Sequence, residues 1–118
     1  MDLHLCAVGR LRAGPERDLV DDYRDRFAKA GRGLGFSAVQ EHEIADRRGG
    51  GPTGEAAMLR RAVPAGAWLC VLDERGHDLT SPAFAETLAR QRDSGRAAVA
   101  FVIGGADGLD PGLRDEAD

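Results

Sequence analysis

The amino-acid sequence predicts one α/β domain over residues 1–118, built on a mostly parallel sheet that is flanked by helices. The first observation behind this prediction is a series of short apolar runs, which are typical of strands buried on both faces. The second is that most runs are followed by a segment with proline or a capping residue near its start and apolar side chains at helical spacing. This alternation favours a parallel sheet with right-handed crossovers.

The chain begins with a predicted strand over residues 3–8 and a predicted helix over residues 15–30. Pro15 suits the first turn of a helix. Apolar side chains four residues apart predict the buried stripe of this helix: Leu19, Tyr23 and Phe27. Arg10 and Arg12 follow the strand directly, and their position fits either a solvated loop or contact with an anionic partner.

A second strand is predicted over residues 36–44, where apolar and polar residues alternate imperfectly. Residues 46–52 contain three glycines and a proline, so we expect an irregular, mobile loop there. Arg47 and Arg48 in this loop fit either a solvated segment or one that closes over a phosphate. A second helix is predicted over residues 53–62, with the threonine at its first position as the cap.

The second half of the chain repeats the pattern. Strands are predicted over residues 67–72 and 97–103, with a helix over residues 81–94 between them. Ser81 is the predicted cap of that helix, and a proline follows it. The predicted buried stripe of the helix consists of Phe84, Ala85, Leu88 and Ala89.

A glycine loop follows the last predicted strand. Gly104 and Gly105 end the apolar run, Gly108 comes three residues later, and Asp110 with Pro111 suits the start of a further helix. Open α/β sheets bind ligands beyond the carboxyl ends of their strands, and glycine lets a ligand approach the backbone closely. A ligand site and a tight turn without a ligand both fit this stretch. Its G-G-x-x-G spacing departs from the dinucleotide fingerprint, and the sequence contains no P-loop and no G-x-S-x-G motif.

Two acidic residues, Asp73 and Glu74, follow the strand over residues 67–72. A carboxylate pair of this kind could serve acid–base catalysis. However, adjacent residues at a strand end point to opposite sides of the sheet, so they are poorly placed to share one substrate. The pattern therefore favours a structural or solvated role for both.

The composition narrows the class of protein. A net charge of −4 argues against a broad, sequence-independent grip on nucleic acid, although it leaves room for a local basic patch. No apolar run approaches the roughly 20 residues of a membrane span, and no basic leader opens the chain, so we expect a cytoplasmic protein. Cys6 and Cys70 lie in apolar runs and are expected to be reduced core residues. The histidines show no ligand spacing, so no metal site is predicted.

Four blocks of sequence occur in a specific order. They are L-x-A-V-G-R-L-R near the start, Y-x-x-R-F in the first helix, L-D-E-R-G-x-x-L-T-S-P-x-F-A in the middle, and F-V-I-G-G-A-D-G-L near the end. Together they resemble the bacterial RlmH family of SPOUT-superfamily methyltransferases, over nearly the whole chain. The resemblance implies a SPOUT-like α/β-knot fold, with a C-terminal trefoil knot that holds S-adenosylmethionine. It also implies transfer of a methyl group to N3 of a pseudouridine in large-subunit ribosomal RNA.

By this resemblance, Leu72 and Gly104 match the cofactor contacts of the family. We expect the two residues to lie close together at the carboxyl ends of neighbouring strands and to line one crevice. The resemblance further implies a homodimer that works on the assembled ribosome. No side chain is evident as the base for the imide nitrogen, so the catalytic residues are unassigned.

The chain departs from the family pattern at its end. Family members continue with a further strand and a long final helix, which complete the knot and part of the cofactor pocket. We therefore expect the C-terminal knot segment to be missing here, with weak cofactor binding or none and no methylation of ribosomes. Two alternatives stay open: a non-enzymatic α/β remnant that acts as a binding or dimerisation module, and a different nucleotide-binding α/β protein.

Overall fold

The computed structural model describes residues 1–45, 51–105 and 108–118, in which strands and helices alternate. The elements are β1 (Asp2–Val8), α1 (Pro15–Arg32), β2 (Val39–Ile44), α2 (Gly51–Ala62), β3 (Trp68–Leu72), α3 (Ser81–Asp93), β4 (Ala98–Ile103) and α4 (Pro111–Asp115). The strands form one parallel sheet in the order β2-β1-β4-β3. This architecture confirms the predicted α/β class.

The central pair of strands, β1 and β4, divides the side chains between the two faces of the sheet. Cys6 and Val102 are register partners and point into the main core, which α2 and α4 cover. Leu5 and Phe101 are also partners and point to the opposite face, beside α1 and α3. The largest fully buried side chains are Leu59, Leu113, Val99, Val102 and Cys6. Burial of these side chains is the main source of stability for such a sheet.

The predicted buried stripe of α1 is wrong in part. Leu19 is 57% exposed and Tyr23 is 60% exposed, whereas Phe27 is half-buried and packs against Phe36. Helical spacing puts the three side chains on one side of the helix, but it does not say whether another element covers that side. In this chain the stripe borders an apolar groove over Phe101, and the groove has no cover within the described residues.

Polar contacts, rather than the predicted apolar stripe, attach α1 to β2. Arg17 donates two hydrogen bonds to Glu41, at 2.8 and 2.7 Å, and the two side chains are only 19% and 13% exposed. Arg24 donates to the carbonyl oxygen of Val39 at 2.8 Å. A bidentate arginine–carboxylate pair that is largely shielded from water is among the stronger side-chain interactions. Residues off the predicted stripe therefore hold this helix on the sheet.

The prediction for α3 needs two corrections. The cap is Thr80, not Ser81, because the Thr80 hydroxyl accepts a hydrogen bond from the backbone N–H of Ala83. The stripe is not fully buried either: Phe84 is 37% exposed, although its ring packs against Phe101 at 5.8 Å. The reason is the same as for α1: helical spacing places these side chains on one side of the helix, but it does not say whether another element covers that side.

Several predicted boundaries shift. The strand predicted over residues 36–44 begins at Val39, and the last helix ends at Asp115. Helix α2 begins at Gly51, so the prediction of an irregular loop over residues 46–52 is wrong for the last two of them. The rest of the predicted loop, including Arg47 and Arg48, lies outside the residues that the structure describes. Thr53 is therefore inside the first turn rather than the cap, and its hydroxyl donates to Asp110 at 3.3 Å.

The two cysteines are free thiols, whereas two of the histidines contact each other. Cys6 and Cys70 are free thiols, the first buried and the second half-buried. His4 and His42 stack with ring centroids 5.2 Å apart, and a 2.9 Å hydrogen bond joins Nδ1 of His4 to Nε2 of His42. Sequence spacing gave no sign of this pair because the two residues come from neighbouring strands.

Among the described helices, none is long and apolar enough to cross a membrane.

Acidification is expected to destabilise the fold through His4. Burial, together with the nearby His42, lowers the pKa of His4 below 6.5, and Asp2 opposes this only in part. Because the pKa of this His is lower in the folded state, the free energy of unfolding is unaffected by its titration above the unfolded-state pKa near 6.5. Stability is then lost as the pH falls from that value through the lower folded-state pKa. Urea unfolding between pH 8 and pH 5 measures this loss.

The variant His4→Asn removes the ionisable ring and should flatten the pH dependence of the unfolding free energy over this range. His77→Asn is the matched control, because His77 is exposed and lies outside the pair. An unchanged pH dependence in His4→Asn would contradict the assignment to His4.

Candidate functional site

The candidate site is a cavity of about 610 Å³ at the carboxyl ends of β3 and β4. Leu72 ends β3, and its register partner Ile103 ends β4, directly before Gly104. Leu72 and Gly104 both line this cavity, as the sequence led us to expect. Leu72 is 52% exposed, so it presents apolar surface to the opening rather than to the core. The role of the two residues as cofactor contacts stays a prediction.

A backbone hydrogen bond joins the two ends of the glycine loop, and Gly104 has no room for a side chain. The N–H of Gly108 donates to the carbonyl oxygen of Gly105 at 3.0 Å, and Gly108 has a φ of 83°, which favours glycine. A Cβ added to Gly104 would lie 2.9 Å from a methyl carbon of Leu109 and 3.0 Å from the carbonyl group of Gly108. The loop backbone itself therefore forms one wall of the cavity.

A buried carboxylate supports the loop from behind. Glu55 in α2 is only 8% exposed, and a Cβ added to Gly105 would lie 2.7 Å from its Oε2 and 3.2 Å from Val8. Gly105 thus packs between α2 and the end of β1. Sequence reasoning missed Glu55, although a carboxylate beside the apolar members of a helix was a visible signal.

An ion-pair cluster forms the polar side of the cavity. Asp73 accepts a hydrogen bond from the backbone N–H of Arg75 at 2.8 Å and pairs with the guanidinium groups of Arg75 and Arg114 at 3.5 and 3.6 Å. The backbone hydrogen bond, with help from the two arginines, holds the pKa of Asp73 below its usual value. Glu74 also lines the cavity; its side chain is 85% exposed and pairs with the guanidinium group of Arg75 at 3.8 Å. Asp73 is thus an ionised member of an ion-pair cluster, which fits the structural role that the sequence favours for it.

The wall opposite β3 comes from elements whose part in the site the sequence did not indicate. Pro52 at the start of α2 and Leu109, Pro111 and Arg114 around α4 complete the lining. Asp110 caps α4 by accepting from the N–H of Leu113, as predicted, and its other oxygen accepts from Thr53. The two helix starts are thereby tied together beside the cavity. The starts of α2 and α4 meet beside the cavity because α2 crosses over the sheet between β2 and β3.

The chemistry available in this cavity is binding and positioning. Its walls combine apolar side chains, exposed backbone of the glycine loop and arginines paired with Asp73. Burial raises the pKa of both cysteine thiols, so neither is an activated nucleophile. In the described part of the chain, no group of three or more His, Cys, Asp and Glu is placed to hold a metal ion.

Comparison with known proteins gives a match along the entire chain. A family model described as "Predicted SPOUT methyltransferase" matches residues 1–118. This match agrees with the parallel α/β sheet and with a cavity at its carboxyl edge.

Curated relatives are similar over the same length. A protein of Cereibacter sphaeroides is 64% identical over 118 residues, which is 100% of this chain and 76% of the relative. A protein of Paracoccus denitrificans is 61% identical and one of Dinoroseobacter shibae is 58% identical, each over the same shares. All three carry the name "Ribosomal RNA large subunit methyltransferase H".

Closure of the glycine loop predicts that Gly104→Ala destabilises the protein. The added methyl group meets loop backbone and Leu109, so the loop must shift, at a cost of about 1–3 kcal/mol in the free energy of unfolding. Gly33→Ala is the matched control, because an added Cβ there meets nothing within 4 Å and φ is −73°. Urea unfolding of both variants measures the difference. Equal stability of the two variants would show that the loop is not closed in this way.

Proposed function

The chain belongs to the SPOUT methyltransferase family, and from that membership we propose that it transfers a methyl group from S-adenosylmethionine to ribosomal RNA of the large subunit. The names of the similar proteins support the RNA substrate. The sequence resemblance supports N3 of a pseudouridine as the acceptor and the assembled ribosome as its context. The structural observation that carries the proposal is the cavity that Leu72 and Gly104 share at the carboxyl edge of the sheet.

The residues of the cavity fit S-adenosylmethionine. Leu72, Ile103 and Leu109 offer apolar walls for an adenine ring, and the glycine loop offers backbone groups at close range. The volume of about 610 Å³ lies within the roughly 300–1,000 Å³ of small-molecule sites. Arg75 and Arg114 lie on the polar side, where they suit the carboxylate of the methionine part. Leu72 and Gly104 are therefore the proposed cofactor contacts.

The protein's share of the reaction is positioning. When bound, S-adenosylmethionine supplies a methyl group that is already activated on a sulfonium. Transfer joins the methyl carbon to the acceptor nitrogen and breaks its bond to sulfur, and the imide proton passes to solvent. Apolar walls that exclude water and hold the two partners in line contribute to the rate through proximity and orientation. The backbone wall that the glycine loop contributes to the cavity suits this task.

The cofactor proposal predicts specific binding at the cavity. An NMR titration with S-adenosylmethionine, which reads weak and tight binding alike, should shift the amide signals of Leu72 and Gly104. Leu72→Ala should weaken binding about fivefold to thirtyfold, because it removes an apolar wall worth up to about 2 kcal/mol. Leu79→Ala is the matched control, since Leu79 is 55% exposed and lies outside the cavity; it should bind within twofold of the unmodified chain.

The same titration separates the competing functions. Absence of any shift with S-adenosylmethionine would contradict the methyltransferase proposal and favour a non-enzymatic role. Tighter binding of adenosine triphosphate than of S-adenosylmethionine would favour a different nucleotide-binding protein. Transfer of tritiated methyl groups to bacterial ribosomes that lack this modification tests the reaction itself.

We also propose that the protein is a cytoplasmic homodimer. The cytoplasmic location follows from a ribosomal substrate. The dimer is supported by the groove of about 710 Å³ between α1 and the sheet, beside which Leu19 and Tyr23 are more than half exposed. Apolar surface of this kind on a small domain marks a protein contact. A second copy of the chain is the proposed partner.

Sedimentation equilibrium should give twice the chain mass of 12.6 kDa. The double variant Leu19→Lys, Tyr23→Lys should shift the equilibrium toward the monomer, because it places two cations in the apolar contact. Leu79→Lys adds charge at a similarly exposed leucine away from the groove and should not change the association. A monomeric mass for the unmodified chain at all concentrations would overturn the dimer.

A further inference from the structure

A second groove lies beside the candidate cofactor cavity, on the face of the sheet that carries α1. Its volume is about 350 Å³, and its lining is mainly apolar, with Ala7 from β1, Val20 from α1 and Leu11 from the loop between them. Ile103 lines both this groove and the cofactor cavity. One side chain, 37% exposed, therefore stands between the two spaces.

This adjacency meets a requirement of methyl transfer. The acceptor nitrogen and the methyl carbon must approach to about 3–3.5 Å before they react. The acceptor base must therefore lie directly against the cofactor cavity. A mainly apolar groove that shares a wall with that cavity suits the face of a base, and Glu43 at its rim supplies a carboxylate that can accept a hydrogen bond from a base N–H.

Two arginines lie beside the groove without a partner among the described residues: Arg10 lines the groove itself and the pocket next to it, and Arg12 lines that neighbouring pocket. Arg10 and Arg12 are exposed, and neither makes a hydrogen bond or ion pair within the part of the chain that the structure describes. Arg17, deeper in the groove, is by contrast neutralised by Glu41 at 2.7 Å. The loop that presents the two arginines is anchored at its start, where the N–H of Gly9 donates to the carbonyl oxygen of Ile44 at 2.7 Å.

Unpaired guanidinium groups beside an apolar groove match the two parts of a nucleotide. RNA presents phosphates, which arginine binds well, next to bases with large apolar faces. We propose that this groove holds the acceptor nucleotide of the RNA substrate, with its base against Ile103 and Leu11 and its neighbouring phosphates on Arg10 and Arg12. The inference rests on the proposed function, because that function supplies the RNA and the cofactor.

Co-sedimentation with bacterial 70S ribosomes tests the arginines. The double variant Arg10→Ala, Arg12→Ala should bind ribosomes about 10- to 100-fold more weakly, at about threefold to tenfold for each phosphate contact. The salt dependence should also become shallower, by about one unit of slope per lost contact. Arg32→Ala is the matched control: Arg32 is an exposed arginine in the last turn of α1, near the opposite edge of the sheet. Its affinity should stay within twofold.

A photo-cross-linker tests the groove itself. Benzoylphenylalanine in place of Leu11 should cross-link to ribosomal RNA, because Leu11 lines the groove and is 40% exposed. The same residue in place of Leu34, which is 59% exposed outside this groove, should not. Equal cross-linking at the two positions, or ribosome binding that neither arginine affects, overturns the inference, as does failure of the unmodified chain to bind ribosomes.

Failure of the inference and failure of the proposed function give different results. If the arginine variants bind ribosomes normally while the chain binds S-adenosylmethionine and methylates ribosomes, only the inference is wrong. If the chain binds ribosomes through Arg10 and Arg12 but never binds S-adenosylmethionine, the proposed function is wrong and the RNA surface stands.

Discussion

The structure depends on the parallel pairing of β1 with β4 at the centre of the sheet. Because every strand in the sheet runs the same way, all the carboxyl ends meet at one edge. The connection from β2 to β3 must then cross two strands, and α2 makes that crossing on the face opposite α1. This one topological constraint gathers the end of β3, the glycine loop and the starts of α2 and α4 around a single cavity.

The two faces of the sheet are held in different ways. On the α2 face, a dry core of aliphatic side chains surrounds Leu59 and Leu113. On the α1 face, the bidentate contact of Arg17 with Glu41 does much of the attachment, and apolar side chains stay open to solvent. The glycine loop sits over the well-packed face, supported by Glu55. The site thus lies at the carboxyl edge of the sheet beside this packed core, and the α1 face keeps apolar side chains open to solvent.

The candidate site combines the cavity proposed for the cofactor with the neighbouring groove proposed for RNA. A closed backbone loop and an ionised Asp73 held by two arginines leave little freedom in the cavity walls. Such walls suit a reaction whose cofactor is already activated, since the protein then needs to align the partners rather than to supply a nucleophile. The cations of Arg10 and Arg12 lie outside this cavity, so the proposed RNA contacts are separate from the proposed cofactor contacts.

The sequence by itself determined the fold class and the order of the elements, and its resemblance to a known family indicated that Leu72 and Gly104 lie together. Apolar runs and caps are local signals, and the geometry of a parallel sheet brings the ends of β3 and β4 to one edge. Only the tertiary structure decided which helix faces are covered: the spacing of Leu19 and Tyr23 defines a stripe, but burial depends on what packs against it. It also decided the place of Glu55 behind Gly105 and the pairing of His4 with His42, because contacts between residues far apart in the chain arise from the crossover and register of the strands, and no local pattern encodes them.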